Sequence, residues 1–255
     1  MFNTIKVAFF LAVANIKRGN KGSTILICFI MFLTFLNLVV ARGILIGLPI
    51  GSNKIFKEKY TSDILLSSKD DKEYIERKNQ IKSILQNNPD IKNFSIRYQI
   101  GAKITADYNK TVKRDEKRDE INTPLLRGIN PTNENEVVDI KDSLQEGSYF
   151  SQSSNKEVIL GYLISEKNNG FSNEATLSDP KVGDKIEISY KNKKQIFTII
   201  GIVKAKTREL DSAVIIKDTA LKNYFEPNAE PKEIAIKLQD NVNATQVRDN
   251  LLKSP

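Results

Sequence analysis

Residues 22–41, GSTILICFIMFLTFLNLVVA, form an apolar run of twenty residues without a charge, bracketed by Lys21 and Arg42. As an α-helix this run is about 30 Å long, which matches the hydrocarbon core of a bilayer. A core helix of a soluble protein would carry a polar face, and this run has none. The sequence therefore predicts one transmembrane helix, which together with its outer flank occupies residues 22–50.

A cleaved signal peptide is the alternative interpretation of an apolar run near the N-terminus. Such a peptide needs an apolar region of about 7–15 residues and a small-x-small cleavage site. The run here is longer, begins after residue 21 and is followed by ARGILIGLPIG, so we expect it to be retained. Asn37 is its one strongly polar side chain. It either bonds to a neighbouring helix or is simply tolerated near the outer end.

The net charge of +8 is concentrated at the membrane end of the chain. Residues 1–51 contain no acidic residue, whereas the remainder is nearly balanced. This distribution argues against nucleic acid as a partner and for contact with anionic lipid, with the N-terminus on the cytoplasmic side of the cell membrane. The predicted membrane-interface anchors are Lys6, Lys17, Arg18, Lys21 and Arg42.

The first 21 residues predict a separate amphipathic helix. Apolar side chains from Phe2 to Ile16 fall on one side, and lysines fall on another. The uninterrupted apolar part is too short to cross a bilayer, so we expect the helix to lie in the membrane interface. The alternative is an ordinary helix packed on a cytoplasmic partner.

The chain lacks the usual chemistry of an enzyme. It has no histidine and one cysteine, Cys28, which lies inside the apolar run. The commonest general base and the commonest neutral metal ligand are therefore missing. Acidic pairs occur at Asp70–Asp71 and at Glu134 with Glu136, but both lie in lysine-rich polar stretches and are interpreted as solvated surface. We expect no catalytic residue, no cofactor and no metal.

A soluble-domain pattern begins after Gly51, and its clearest signal is an alternation of apolar and polar residues from Phe94 to Tyr108. The alternation predicts a long strand, with a bend at Gly101, that has one face on a core and the other in water. The charged tract KRDEKRDE at residues 113–120 is interpreted as the tip of a hairpin that returns along residues 121–129.

The remaining patterns predict a mixed α/β extracytoplasmic domain of α+β class over residues 51–255. The predicted strands are 60–67, 156–160 continuing into 162–167, 185–190, 195–203, 213–216 and 233–238. The predicted helices are 73–87, 135–144, 218–225 and 243–253.

Five segments follow the transmembrane helix in a fixed order: LRGINPTNE (126–134), QEGSYF (145–150), EVILG (157–161), KVGDKIEI (181–188) and FTIIGIV (197–203). In that order they resemble the periplasmic core domain of MacB/LolC/LolE-type ABC transporter permeases. The residues that carry the resemblance are Arg127, Gly128, Pro131, Gly147, Phe150, Gly161, Gly183, Asp184 and Gly201. We expect the glycines at strand ends or inside strands, where turning or close backbone approach excludes a side chain.

The resemblance implies a porter-like part at residues 60–130 and 232–255, with a β-rich insertion at 131–231. It also implies a non-catalytic permease with three further spans after residue 255, so the sequence is expected to be truncated or a fragment. The implied partners are a separate cytoplasmic ABC ATPase and a second permease subunit in a homo- or heterodimer. ATP-driven closure inside would then move the outer domains for export or lipoprotein release.

One departure from the family pattern concerns the connection YKNKKQ at residues 190–195. In LolC-type subunits this hairpin carries a long insertion that recruits a chaperone, so its shortness argues against chaperone capture here. Two alternatives stay open at this point. One is a singly anchored extracytoplasmic sensor or binding module, and the other is an FtsX-like regulator of a cell-wall hydrolase.

Overall fold

The computed structural model describes residues 6–11, 13–14, 19, 21–69, 72–109, 118–169 and 176–253. The chain is divided into two compact units, Met1–Asn53 and Lys54–Pro255. Several residues named above lie outside the described residues: Phe2, Ile16, Lys17, Arg18, Asp70, Asp71 and residues 113–117 of the charged tract.

The first unit is helical wherever its structure is described, apart from a bend at Gly19. Residues 6–11 and 13–14 are helical, and helix α1 runs over Lys21–Phe56 without a buried residue. It continues past the predicted end at residue 50, although Pro49 has no N–H for helical hydrogen bonding. Among the described residues, α1 with the turn that follows it is the one helix long and apolar enough to cross a membrane. The anchors Lys6, Lys21 and Arg42 are exposed.

Among its described residues, the second unit combines nine strands with short helices. The strands are β1 (Ile64–Ser67), β2 (Ile91–Thr105), β3 (Glu120–Ile129), β4 (Leu144–Gly147), β5 (Glu157–Gly161), β6 (Lys185–Tyr190), β7 (Lys193–Val203), β8 (Val214–Lys217) and β9 (Pro231–Leu238). The helices are α2 (Lys78–Asn87), α3 (Pro131–Val138), α4 (Arg208–Asp211), α5 (Asp218–Tyr224) and α6 (Ala244–Lys253), preceded by a π-helical turn at Lys57–Thr61.

Strand β2 belongs to two parts of one sheet. The strand order is β1-β9-β2-β3-β8-β5-β7-β4, and β6 pairs with both β2 and β7. Strands β2, β3, β8, β5, β7 and β6 therefore close a ring, whereas β1 and β9 extend the sheet from the first half of β2. The interior of the ring is filled by branched and aromatic side chains such as Ile104, Ile188 and Phe197, all fully buried. A second cluster on the β1-β9-β2 part packs beneath α2 and α6.

The structure confirms the hairpin of β2 and β3 and the irregularity near Gly101. The register shifts between the pairs Ile100↔Leu126 and Ala102↔Thr123, so β3 holds one residue more than β2 there.

The prediction that one face of β2 lies in water is wrong for the first half of the strand, although further along Gly101 is exposed and Lys103 is partly exposed. Ser95, Arg97 and Gln99 alternate with the core residues and are nevertheless buried. Helix α3 and the turn at Lys57–Thr61 cover this face, which removes it from solvent.

Four predicted elements differ from the structure. The helix predicted at 135–144 is α3, which begins at Pro131 and ends at Val138, and a 3-10 turn at Ile140–Ser143 follows it. The strand predicted at 60–67 begins only at Ile64, because Tyr60 belongs to the π turn. The helix predicted from residue 73 begins at Lys78, because the Ile75 N–H donates to the Pro231 carbonyl and Arg77 is left-handed. Residues 162–167 form short 3-10 turns instead of a continuation of β5.

Candidate functional site

The polar face of β2 carries a group of ionisable side chains, here called the charge cluster, in which four residues are buried and the Glu233 side chain is 14% exposed. It consists of Tyr60 in the π turn, Arg97 in β2, Arg127 in β3, Glu134 in α3 and Glu233 in β9. Sheet register assembles it, because Arg97 lies directly opposite Glu233. Cross-strand neighbours on one face of a sheet lie within contact distance.

Arg97 and Glu134 form the centre of the charge cluster, and both side chains are 0% exposed. Arg97 Nη2 lies 2.8 Å from Glu134 Oε1, and Arg97 Nε donates to Oε1 at 3.0 Å. The Ser95 hydroxyl donates to Glu134 Oε2 at 2.6 Å. Burial lowers the pKa of the Arg97 guanidinium, but the Glu134 and Glu233 carboxylates raise it more, so this pKa lies above its ordinary value. The Arg97 guanidinium therefore stays charged beside Glu134.

Tyr60 connects the π turn to three strands. Its hydroxyl donates to the Glu233 carboxylate, whose oxygens lie 2.7 and 2.9 Å away, and accepts from Arg127 Nη2 at 3.0 Å. Its main-chain oxygen accepts from Arg97 Nη2 at 2.7 Å. The guanidinium carbons of Arg97 and Arg127 each lie 4.9 Å from the ring centroid. Such cation–π contacts are strongest where water is excluded, as it is here.

Arg127 is 1% exposed, and its ion-pair contact with Glu233 is long, 4.0 Å from Nη2 to Oε2. Within the described part of the chain, its Nε and Nη1 atoms have no hydrogen-bond partner. Unpaired buried donors cost free energy. The charge cluster is thus neutral in sum, with two arginines and two glutamates, but is not fully satisfied at Arg127.

Tyr149 extends the same buried region at the start of α3. Its hydroxyl donates to the Pro131 carbonyl at 3.0 Å. Burial, with a smaller contribution from the Glu134 carboxylate, raises the pKa of the Tyr149 phenol. The phenol therefore stays neutral and holds the first turn of α3 in place.

The arrangement is suited to holding elements together. Each carboxylate is engaged by a guanidinium and a hydroxyl, so neither is positioned as a free general base. A single residue, Tyr60, joins the turn after α1 to β2 through its main-chain oxygen and to β3 and β9 through its hydroxyl. Breaking that contact would expose or unpair several buried charges at once.

Of the nine residues that carry the sequence resemblance, Arg127 alone lies in the charge cluster. Gly128 follows it, and a Cβ there would lie 2.8 Å from Leu221 Cδ1 of α5. Pro131 is the first residue of α3, behind the N-cap Asn130, whose side chain accepts from the Asn133 N–H. The RGINP segment therefore positions α3, and α3 in turn carries Glu134 to Arg97.

The other six residues lie at turns and strand ends. Gly147 pairs with Gly201 across β4 and β7, and Phe150 packs edge-on against Tyr149 with centroids 5.3 Å apart. Gly161 ends β5 against the backbone of α4. The turn before β6 contains Gly183, with φ +97°, and Asp184, whose carboxylate accepts from the Lys181 N–H at 2.9 Å.

Sequence reasoning missed four members of the charge cluster, and its interpretation of Glu134 as solvated surface is wrong. Glu134, Val137 and Val138 share the buried side of α3, and their i, i+3, i+4 spacing is a signal that could have placed Glu134 inside. Arg97 offers no such signal, since a basic residue on the polar face of a strand is normally solvated.

Comparison with known proteins adds a family match to this geometry. A family model described as "MacB-like periplasmic core domain" matches residues 58–253, a range that contains the whole charge cluster. No curated protein matches the chain. The periplasmic region of MacB from Actinobacillus actinomycetemcomitans is similar at 20% identity and a TM-score of 0.45, covering 68% of this chain and 70% of that chain. The extracellular domain of the noncanonic ABC-type transporter YknZ from Gram-positive bacteria is similar at 17% identity and a TM-score of 0.44, covering 72% and 86%.

Proposed function

Because this chain belongs to the family of MacB-like periplasmic core domain proteins, we propose that it is the permease subunit of a mechanotransmission-type ABC transporter. ATP hydrolysis by a partner protein in the cytoplasm would move the folded head formed by residues 54–255 on the outer side. The movement would serve export or lipoprotein release. The observation that carries the proposal is a domain of this family that follows, in the chain, a helix long enough to cross a membrane.

The charge cluster supplies a physical path for such coupling. Any displacement of the membrane helix reaches the head along the chain, through residues 54–61. In the head this segment is held by Tyr60, which contacts β2, β3 and β9. A force on the segment is therefore passed to these three strands through Tyr60. A permease that transmits movement and catalyses no reaction requires such a connection.

The proposed topology places the N-terminus in the cytoplasm and the head outside the cell membrane. The exposed cations Lys6, Lys21 and Arg42 support contact with anionic lipid near the ends of the apolar run. The proposed partners are a cytoplasmic ABC ATPase, a second permease subunit and membrane lipid. The chain itself is proposed to be non-catalytic and to hold no cofactor.

Co-purification tests this proposal. The protein, tagged at its own chromosomal locus and extracted from native membranes in mild detergent, is expected to retain an ATPase with phosphate-loop and Walker B motifs in fixed stoichiometry, detected by mass spectrometry. The matched control carries the same head on an unrelated single membrane helix and is expected to lose the ATPase. Recovery of the head protein without any ATPase would contradict the proposal and favour a singly anchored sensor. Recovery of a cell-wall hydrolase bound to the head would favour the regulator of wall hydrolysis.

A further inference from the structure

The turn that holds Tyr60 has an unusual backbone. Residues Lys57–Thr61 are π-helical, and the Ser62 N–H closes the turn on the Lys57 carbonyl at 2.8 Å. A π turn holds one residue more than an α turn, and such turns recur at functional positions in proteins. This one directly follows α1 in the chain.

Ser62, at the end of the turn, is strained. Its φ of 59° and ψ of −146° lie outside the left-handed helical well and in a region that glycine alone adopts readily. The residue is 3% exposed, and its hydroxyl has no partner among the described residues. No hydrogen bond of the Ser62 hydroxyl among the described residues offsets the cost of this conformation. The surrounding contacts must therefore impose it.

Contacts on both sides of Ser62 do impose it. On one side Tyr60 is held by Glu233 and the two arginines of the charge cluster. On the other side the Asp63 N–H donates to the Ile236 carbonyl at 3.1 Å, and the Asp63 carboxylate accepts from the Leu238 N–H at 2.9 Å. Both flanks are thus fixed to β9, and the strain is confined between them.

We propose that residues 57–62 form a strained two-state joint, latched in this structure by the charge cluster. In the second state the π turn shortens to α-helical hydrogen bonding, and Ser62 relaxes to a negative φ. The Tyr60 hydroxyl then leaves Glu233 and Arg127. Removing one residue from the turn shifts the preceding helix by about 1.5 Å and rotates it by about 100°. The role of the joint in coupling, though not its existence, rests on the proposed function.

Hydrogen exchange of the full chain in detergent tests the joint. In the wild type, the amides of residues 57–62 are expected to exchange through a local opening, faster than the amides of β2. The variant Ser62→Gly accepts the latched backbone without strain, so its exchange in residues 57–62 is expected to be about tenfold slower than that of Ser62→Ala. Tyr60→Phe removes the hydroxyl that contacts Glu233 and Arg127 and is expected to accelerate exchange in residues 57–62. Ser67→Gly and Ser67→Ala, at an exposed position of β1, are the matched controls and should leave the joint unchanged.

Two results would overturn the joint. One is exchange of residues 57–62 only through global unfolding, at the rate of the β2 core. The other is equal exchange in Ser62→Gly and Ser62→Ala, which would mean that the backbone stores no strain. If the joint behaves as expected but Ser62→Gly does not alter ATP hydrolysis by the complex, the joint stands and the proposed coupling fails.

Discussion

Replacement of Glu134 by alanine is expected to destabilise the head by about 3–5 kcal/mol, because it leaves the Arg97 guanidinium buried without its main counter-charge. Both side chains are 0% exposed, so water cannot take the place of the lost carboxylate. The variant also leaves the Ser95 hydroxyl without the Glu134 carboxylate, to which it donates at 2.6 Å. For a domain of this size the melting temperature should fall by roughly 10 °C, measured by circular dichroism in detergent.

Glu136→Ala is the control for this prediction. Glu136 lies two residues further along α3 and is exposed, so its removal should change stability by less than about 0.5 kcal/mol. Equal melting temperatures for the Glu134 and Glu136 variants would show that Glu134 is not buried against Arg97.

Gly161→Ala is expected to destabilise the head by about 3 kcal/mol or more, the upper part of the range for overpacked sites. A Cβ on Gly161 would lie 2.2 Å from the Asp211 carbonyl oxygen and 2.5 Å from that of Leu210. These are main-chain atoms of α4, so they cannot move aside as a flexible side chain can. Either β5 or α4 would have to shift. Chemical denaturation followed by circular dichroism measures the loss.

Gly101→Ala makes the same chemical change where there is room. No atom lies within 4 Å of a Cβ at Gly101. This variant should be neutral or slightly stabilised, because alanine restricts the unfolded chain more than glycine does. A loss for Gly101→Ala as large as that for Gly161→Ala would contradict the contact of β5 with α4.

Two predictions came from patterns that are local in the sequence. Alternation over residues 94–108 predicted β2, because the side chains that face one core recur every second residue along a strand. The polar turn between residues 190 and 195 predicted the hairpin of β6 and β7. The fold class and the family resemblance also followed from the sequence. By contrast, the start of α2 depended on Pro231, which captures the Ile75 N–H from 156 residues further along the chain.

The charge cluster could not be predicted in the same way. Its five side chains come from sequence positions 60, 97, 127, 134 and 233, and only the closed ring and its extension by β9 bring them together. The RGINP motif identified Arg127, but it did not predict that this side chain contacts Tyr60 and Glu233. Long-range strand pairing leaves no periodic trace in a single sequence.

Under the proposed function, nucleotide binding to the partner ATPase is expected to change the structure of the head through its attachment at Tyr60. Hydrogen exchange of the native complex, without nucleotide and with ATP trapped in a hydrolysis-deficient ATPase, measures this change. We expect a several-fold change in exchange that is confined to residues 57–62 and their contacts in the charge cluster, with the ring interior unchanged. Tyr60→Ala should abolish the difference. Identical exchange throughout the head in both nucleotide states would show that Tyr60 does not couple the head to the ATPase.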